Sequence, residues 1–296
     1  MTIGFIGLGH MGNPMARNFL KAGFDLSVYD VVPASVARLT EAGAKAAASI
    51  AELVEKSEVI FTSVQTSQQV SDLCLRDDGI FNHMKTSQLY IDCSSIDIVT
   101  SQQLHATAAS RGLSMLDAPV SGGVAGAEAG TLAIMVGGDD KTFARALPFL
   151  QKIGKKIVHA GKAGHGQAAK ICNNLLLAIS MIGVSEAFSL AEKIGLDLKK
   201  FYEISSNASG QCWSMTSYCP VPDILENVPS NKEYQPGFMA KMMLKDLRLG
   251  QHAAEAVQAT IPLGAMATEL YELFVNEGYG ELDFSGIITM IAGKKG

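Results

Sequence analysis

Three glycines, Gly7-x-Gly9-x-x-Gly12, directly follow the apolar run Ile3 to Ile6 and open a helical stretch. In a strand-turn-helix of this kind the first glycine permits a tight turn and the second lets backbone approach a pyrophosphate. The third lets helix pack on strand, and the amides at the helix start face the anion. Asp30 closes the next apolar run, 18 residues after Gly12, a spacing that suits a carboxylate accepting from a ribose 2′-hydroxyl. A carboxylate there repels a 2′-phosphate, and no arginine follows until Arg38, so the segment reads as a site for NAD rather than NADP. Without a ligand, the same residues would be a glycine-rich turn and a strand-end aspartate.

Three further groups have the right types for chemistry. Asp117-Ala-Pro-Val-Ser121-Gly122-Gly123 ends a strand and exposes a hydroxyl followed by two unhindered amides, which suits a small carboxylate or carbonyl oxygen. A tight turn entered through Pro119 explains it equally well. Lys170 and Asn174, four apart, share one face of an otherwise apolar helix start, whereas Asn173 points elsewhere. A lysine in apolar company near a positive helix end loses some preference for its charged form, as proton exchange near neutral pH requires. Its bland reading is a snorkelling side chain, but two polar residues at i and i+4 favour catalysis. Lys245-Asp246 reads by default as an exposed charge pair. Trp213, the only tryptophan, precedes Tyr218 and Pro220-Val-Pro222, and is either a wall of a binding site or a core aromatic.

The elements that position these residues alternate in the first half. Strands are expected at Ile3 to Ile6, Phe24 to Asp30, Val59 to Val64, Leu89 to Asp92, Leu113 to Asp117 and Leu132 to Val136. Helices run between them, one opened by a capping box at Ser49-x-x-Glu52. Such a pattern needs right-handed crossovers and a mainly parallel sheet. After Gly161-x-x-Gly164-x-Gly166 the chain turns helical: a long apolar run to Ile194, then Pro236 to Ala254 and Pro262 to Asn276. The class is α/β, a Rossmann-type doubly wound sheet over 1–162 that binds NAD, followed by an all-α domain over 163–296 for substrate and oligomerisation.

Composition removes other classes. The 296 residues carry 24 Lys+Arg against 29 Asp+Glu, a net charge of −5, with scattered lysines, so no nucleic acid partner is expected. The longest apolar stretch, Leu175 to Val184, is short for a membrane span. No CxxC and no His pair at ligand spacing occurs, so no metal is expected. Five scattered cysteines and a start straight into a strand suggest a cytoplasmic protein. The long apolar helix from Gln167 suggests more surface than one small domain covers, hence a homodimer or homotetramer.

These groups, in this order, resemble the β-hydroxyacid dehydrogenase family over essentially the whole chain. The most specific stretches are Gly4 to Gly12, Asp117 to Gly123 and Gly166 to Asn174; Gln167 to Gly183 and Ser209 to Pro222 resemble its 3-hydroxyisobutyrate branch. The resemblance implies that Lys170 is the catalytic acid/base and that Asn174 helps hold substrate. It implies that Ser121, Gly122 and Gly123 bind the carboxylate and hydroxyl of a small 3-hydroxy acid, and that His10 and Met11 join the glycines at the cofactor. It places Val64 and Gln65 along the dinucleotide and Ser95 and Lys245 in contact with it or closing over it. Relatives commonly carry Leu-Pro where this chain has Val64-Gln65; Gln65 keeps an amide N–H that proline lacks. Ser95 stands where threonine is frequent. The implied reaction is oxidation of 3-hydroxyisobutyrate to methylmalonate semialdehyde, as in valine catabolism, with Trp213 suited to a methyl-bearing substrate. The rival is a tartronate semialdehyde or glyoxylate reductase. A 6-phosphogluconate dehydrogenase is disfavoured for want of a longer helical domain and phosphate-binding cations. A non-catalytic dinucleotide sensor is disfavoured by the presence of Lys170.

Overall fold

The computed structural model describes residues 1–293. It divides into two compact units, Met1–Lys170 and Ile171–Gly296. The strands are β1 (Thr2–Ile6), β2 (Asp25–Tyr29), β3 (Lys45–Ala46), β4 (Val59–Thr62), β5 (Leu89–Asp92), β6 (Ser114–Asp117), β7 (Val120–Ser121), β8 (Leu132–Gly137) and β9 (Gly154–Gly161). Helices α1 (Gly12–Lys21), α2 (Pro33–Thr40), α3 (Ile50–Lys56), α4 (Ser67–Leu75), α5 (Ile80–His83), α6 (Ile98–Ser110), α7 (Gly123–Ala129) and α8 (Asp140–Leu150) connect them. Then come α9 (His165–Lys193), α10 (Leu198–Ser205), α11 (Trp213–Thr216), α12 (Ala240–Val257), α13 (Pro262–Phe274) and α14 (Ile287–Ile291).

The nine strands form one sheet in the order β3-β2-β1-β4-β5-β6-β8-β7, with β9 on β8. Pairing is parallel from β3 to β6, β8 runs antiparallel to β6 and β7, and β9 is parallel to β8. Side-chain alternation divides each central strand between two cores: Val59, Phe61, Leu89 and Ile91 lie in one, Ile60 and Tyr90 in the other. Burial on both faces explains why these strands read as unbroken apolar runs. Order reverses at β1, which sits between β2 and β4, so the crevice of the fold opens at the carboxyl ends of β1 and β4.

Two local expectations change. Ser49 caps α3 by accepting from Glu52 N–H, but the Glu52 carboxylate accepts from Ala48 N–H, not from Ser49, so the reciprocal box is incomplete. A two-way capping box forms instead at Thr66 and Gln69, opening α4. The sequence reading also omitted β9, whose Lys155 and Lys156 are exposed; an edge strand of this polarity carries no apolar signal.

The 29-residue α9 passes from one unit into the other. The division at 170/171 falls inside the helix, and Gln167 N–H in its first turn donates to Asp117 of β6. By length and apolar composition this helix could span a bilayer. In the second unit its Ala178, Met181 and Ile182 pack in a core with Met243, Leu247, Tyr271 and Phe274 of α12 and α13.

Candidate active site

Each glycine of the first loop has its own physical reason. Gly7 has φ +88°, and a Cβ there would lie 2.3 Å from the Ser63 carbonyl oxygen; a Cβ on Gly12 would lie 1.9 Å from that of Gly7. The chain itself therefore demands glycine at 7 and 12. A Cβ on Gly9 would meet no atom of the chain within 4 Å, so the chain itself does not demand glycine there, and close approach of a pyrophosphate is the reason the motif offers. Asp30 fixes the loop: Oδ2 accepts from Leu8 N–H at 2.6 Å and Oδ1 from Val32 N–H at 2.8 Å. Its remaining lone pairs suit a ribose hydroxyl. His10 is exposed and Met11 half-buried at the start of α1, a helix with no side-chain cap and no acidic residue in its first turn. These residues fit a dinucleotide.

The last residues of four adjacent strands, Ile6, Thr62, Asp92 and Asp117, stand in register. Asp92 has no exposed surface. Its Oδ1 accepts from Thr62 Oγ1 at 2.7 Å and Ser94 N–H at 3.1 Å, while Oδ2 is without a hydrogen-bond partner among the described residues. Ser94 is the hub of this edge: its Oγ accepts from Val64 N–H, and its carbonyl accepts from Gln167 Nε2. Half-buried Ser95 follows it. The Gln65 N–H, which a proline would lack, donates to Gln69 Oε1 at 2.9 Å, so the chain itself uses it.

Burial pushes the Asp92 carboxyl up from 3.8 to about 6, with neighbouring Asp117 adding to the rise and Ser94 and Thr62 opposing it. A carboxyl raised by folding binds its proton more tightly folded than unfolded. Its favourable contribution is present below about pH 4 and is lost as pH rises through about 6. Asp92→Asn should therefore flatten the pH dependence of stability between these values and raise stability above pH 6, by at most roughly 3 kcal/mol. Urea midpoints at pH 4.5 and pH 8 check it; an unchanged difference between them would assign the dependence to other groups.

Beyond β6, Ser121 is half-buried and pairs with Ala133 of β8. Gly122 and Gly123 have φ of +131° and +63°, conformations that glycine alone adopts without strain, and they turn the chain into α7. Asp117 accepts from Gly164 and Gln167 N–H, and through them holds the start of α9. Lys170 lies one turn on, only 8% exposed.

In the second unit, Asn174 is buried and donates to Asp246 of α12. Asn173, expected to point elsewhere, is half-buried and donates to Asn174 Oδ1 at 3.0 Å. Lys245-Asp246 is not an exposed pair: Asp246 is 5% exposed, with Lys245 Nζ 3.3 Å from its Oδ1. The buried face of α12 also takes Met243 and Leu247, so helical phase puts Asp246 inside. Trp213 is 48% exposed and thus no core residue. It stacks on Tyr218 at 4.9 Å, Tyr218 stacks on Phe284 at 5.4 Å, and Phe238 meets Phe284 edge-on at 5.7 Å. Asp283 anchors this row, accepting from Tyr218 OH and from the Gly237 and Phe238 N–H groups. Desolvation raises the pKa of both Tyr218 and Asp283, and their mutual hydrogen bond adds to the rise of the first and opposes that of the second. Sequence reasoning missed Asp92, Ser94, Gln167 and Asp283 as organisers; the one local signal is Asp92-x-Ser94 at a strand end.

A Gly-x-Gly-x-x-Gly turn at the switch point, with a buried lysine on the helix whose start is bound to Asp117 at the same sheet edge, fits an NAD-dependent oxidoreductase. Residues 2–161 match the NAD binding domain of 6-phosphogluconate dehydrogenase, and 164–291 match the NAD-binding domain of NADP-dependent 3-hydroxyisobutyrate dehydrogenase. An NAD-dependent L-serine dehydrogenase of Pseudomonas aeruginosa is 48% identical, with 96% of this chain and 95% of that protein covered. A 3-hydroxyisobutyrate dehydrogenase of the same organism is 45% identical, covering 99% of both. The solved structure described as Mycobacterium tuberculosis 3-hydroxyisobutyrate dehydrogenase with L-serine superposes with a TM-score of 0.92 at 41% identity, over 98% of each chain. The chain belongs to the β-hydroxyacid dehydrogenase family, among the relatives of the 3-hydroxyisobutyrate dehydrogenases.

Proposed function

We propose that the protein oxidises a short 3-hydroxy acid with NAD, and that this acid is 3-hydroxyisobutyrate, yielding methylmalonate semialdehyde in valine catabolism. The observation that carries this reading is the buried Lys170, one turn into a helix whose start is bound to Asp117, four residues before Ser121. Gly7, Gly9, His10, Met11, Gly12, Asp30, Val64, Gln65, Ser95 and Lys245 are the residues assigned to the cofactor. NAD supplies the hydride acceptor when bound. Ser121 and the Gly122 and Gly123 amides hold the substrate carboxylate, Asn174 assists, and Lys170 Nζ takes the proton of the C3 hydroxyl. Trp213 faces the substituent at C2.

L-Serine is the second reading, favoured by the name of the 48% identical relative. It shares the carboxylate and the C3 hydroxyl and differs in carrying an ammonium where 3-hydroxyisobutyrate carries a methyl. NADH formation with both acids tests the proposal; no turnover of either would sink it.

Asp30 also sets the cofactor. NAD should exceed NADP by at least about tenfold in kcat/KM, from repulsion between the carboxylate and a 2′-phosphate. Asp30→Ser with Val31→Arg should narrow or invert the ratio. Equal use of both cofactors by the unmodified protein would show that Asp30 serves only Leu8 and Val32.

A further inference from the structure

We propose that Asp117 is the positioning residue for Lys170: it fixes the start of the helix that carries the lysine and joins that helix to the Ser121–Gly123 turn. This rests on the reading of Lys170 as the acid/base group and deepens it. Asp117 has no exposed surface, and both oxygens are occupied. Oδ1 accepts from Gly164 N–H at 2.9 Å and from His105 Nε2 at 2.9 Å; Oδ2 accepts from Gln167 N–H at 2.9 Å. Because a carboxylate only accepts, His105 Nε2 carries its hydrogen.

Helices leave their first N–H groups without intrahelical partners, and a local Ser, Thr, Asp or Asn ordinarily receives one. The residues before α9, Lys162-Ala163-Gly164, offer no such side chain. Asp117 takes that place from a strand 50 residues away, bringing its negative charge to the positive end of the helix. The surrounding glycines bear this out. A Cβ on Gly137 would lie 2.5 Å from Asp117 Oδ1 and 2.7 Å from Oδ2, whereas one on Gly166 would meet the Met135 and Asp117 carbonyl oxygens at 2.4 and 2.6 Å before Oδ2 at 2.7 Å. The carboxylate fills the room a side chain would need at Gly137, and backbone oxygens share that role at Gly166.

Gln167 adds a second tether, since its Oε1 accepts from Ile96 N–H at 3.1 Å and its Nε2 donates to the Ser94 carbonyl at 2.8 Å. Lys170 follows Gln167 by three residues, so both tethers set the helical phase from which the lysine projects. Displacing a reacting group by about 1 Å costs on the order of 100-fold in rate, and loss of this anchor should be felt at that scale.

The test uses the full chain with NADH as the binding probe. In Asp117→Asn one oxygen becomes an NH2 that faces a donor. Its kcat per folded molecule should fall about 100-fold, while the Kd for NADH, read by fluorescence, stays within about threefold. Gly137→Ala keeps the carboxylate but drives a methyl against both of its oxygens, and should give the same split if Asp117→Asn folds poorly. Leu150→Ala, at the buried end of α8, serves as a control that lowers the thermal midpoint and leaves kcat per folded molecule within about threefold. The proposal is overturned if both Asp117→Asn and Gly137→Ala keep kcat within about threefold of the unmodified protein while Lys170→Ala abolishes it. It is also overturned if kcat and NADH binding fall together with the folded fraction, because a merely structural role does that. Should Lys170→Ala retain turnover, the acid/base reading itself fails first.

Discussion

Lys170→Ala and Lys170→Met should lose about 10²- to 10⁴-fold in kcat, the usual contribution of a positioned acid/base group. The Kd for NADH should stay within about threefold, because the Gly7 to Gly12 loop is held by Asp30 and by the Gly7 N–H donating to the Tyr29 carbonyl at 3.1 Å. Lys170→Met retains an unbranched apolar stem, so helix packing survives and the loss reports on the amine. Thermal midpoints of both variants should lie close to that of the unmodified protein. Single-turnover measurement of NADH formation decides the matter, and a loss below tenfold would return Lys170 to the role of a buried helix residue.

For substrate choice, 3-hydroxyisobutyrate should exceed 3-hydroxypropionate by roughly 10- to 200-fold in kcat/KM, the range that one methyl in an apolar pocket supplies. It should also exceed L-serine and glycerate, the C2 hydroxyl of the latter needing a partner that an aromatic wall lacks. The expected wall is Trp213, which is half exposed and stacks on Tyr218 in the second unit. Trp213→Ala should erode the preference for the methyl more than it slows 3-hydroxypropionate. An aromatic face also attracts a cation, so L-serine is the informative competitor. If L-serine has the highest kcat/KM and Trp213→Ala abolishes it selectively, the tryptophan serves an ammonium and the second reading holds. If glycerate is best, the reductase of tartronate semialdehyde gains.

Much of this molecule is written in local patterns. The three glycines, the apolar runs with their alternation and Asp30 at the end of the second strand announced a parallel sheet with a dinucleotide cradle. Each is a statement about a few consecutive residues, where backbone sterics and side-chain period act directly. The long helix was legible for the same reason. Lys170 stood out because a charge inside an apolar helix start is locally anomalous.

What the tertiary structure decided lies in pairings across many residues. Asp117 reaches Gln167 over 50 residues, Gln167 reaches Ser94 over 73, and Asn174 reaches Asp246 over 72. No spacing in the chain announces such partners, because each forms only once the sheet has set its order and register. Lys245-Asp246 shows the same limit: two adjacent charges read as solvated until the phase of α12 turns the aspartate inward. Gln65 shows it in miniature: its amide N–H, which a proline would lack, is taken up by Gln69 at the turn into α4. Local sequence determined which groups the chemistry could use; folding decided which of them are held, because a buried polar group must find its partner wherever the fold places one.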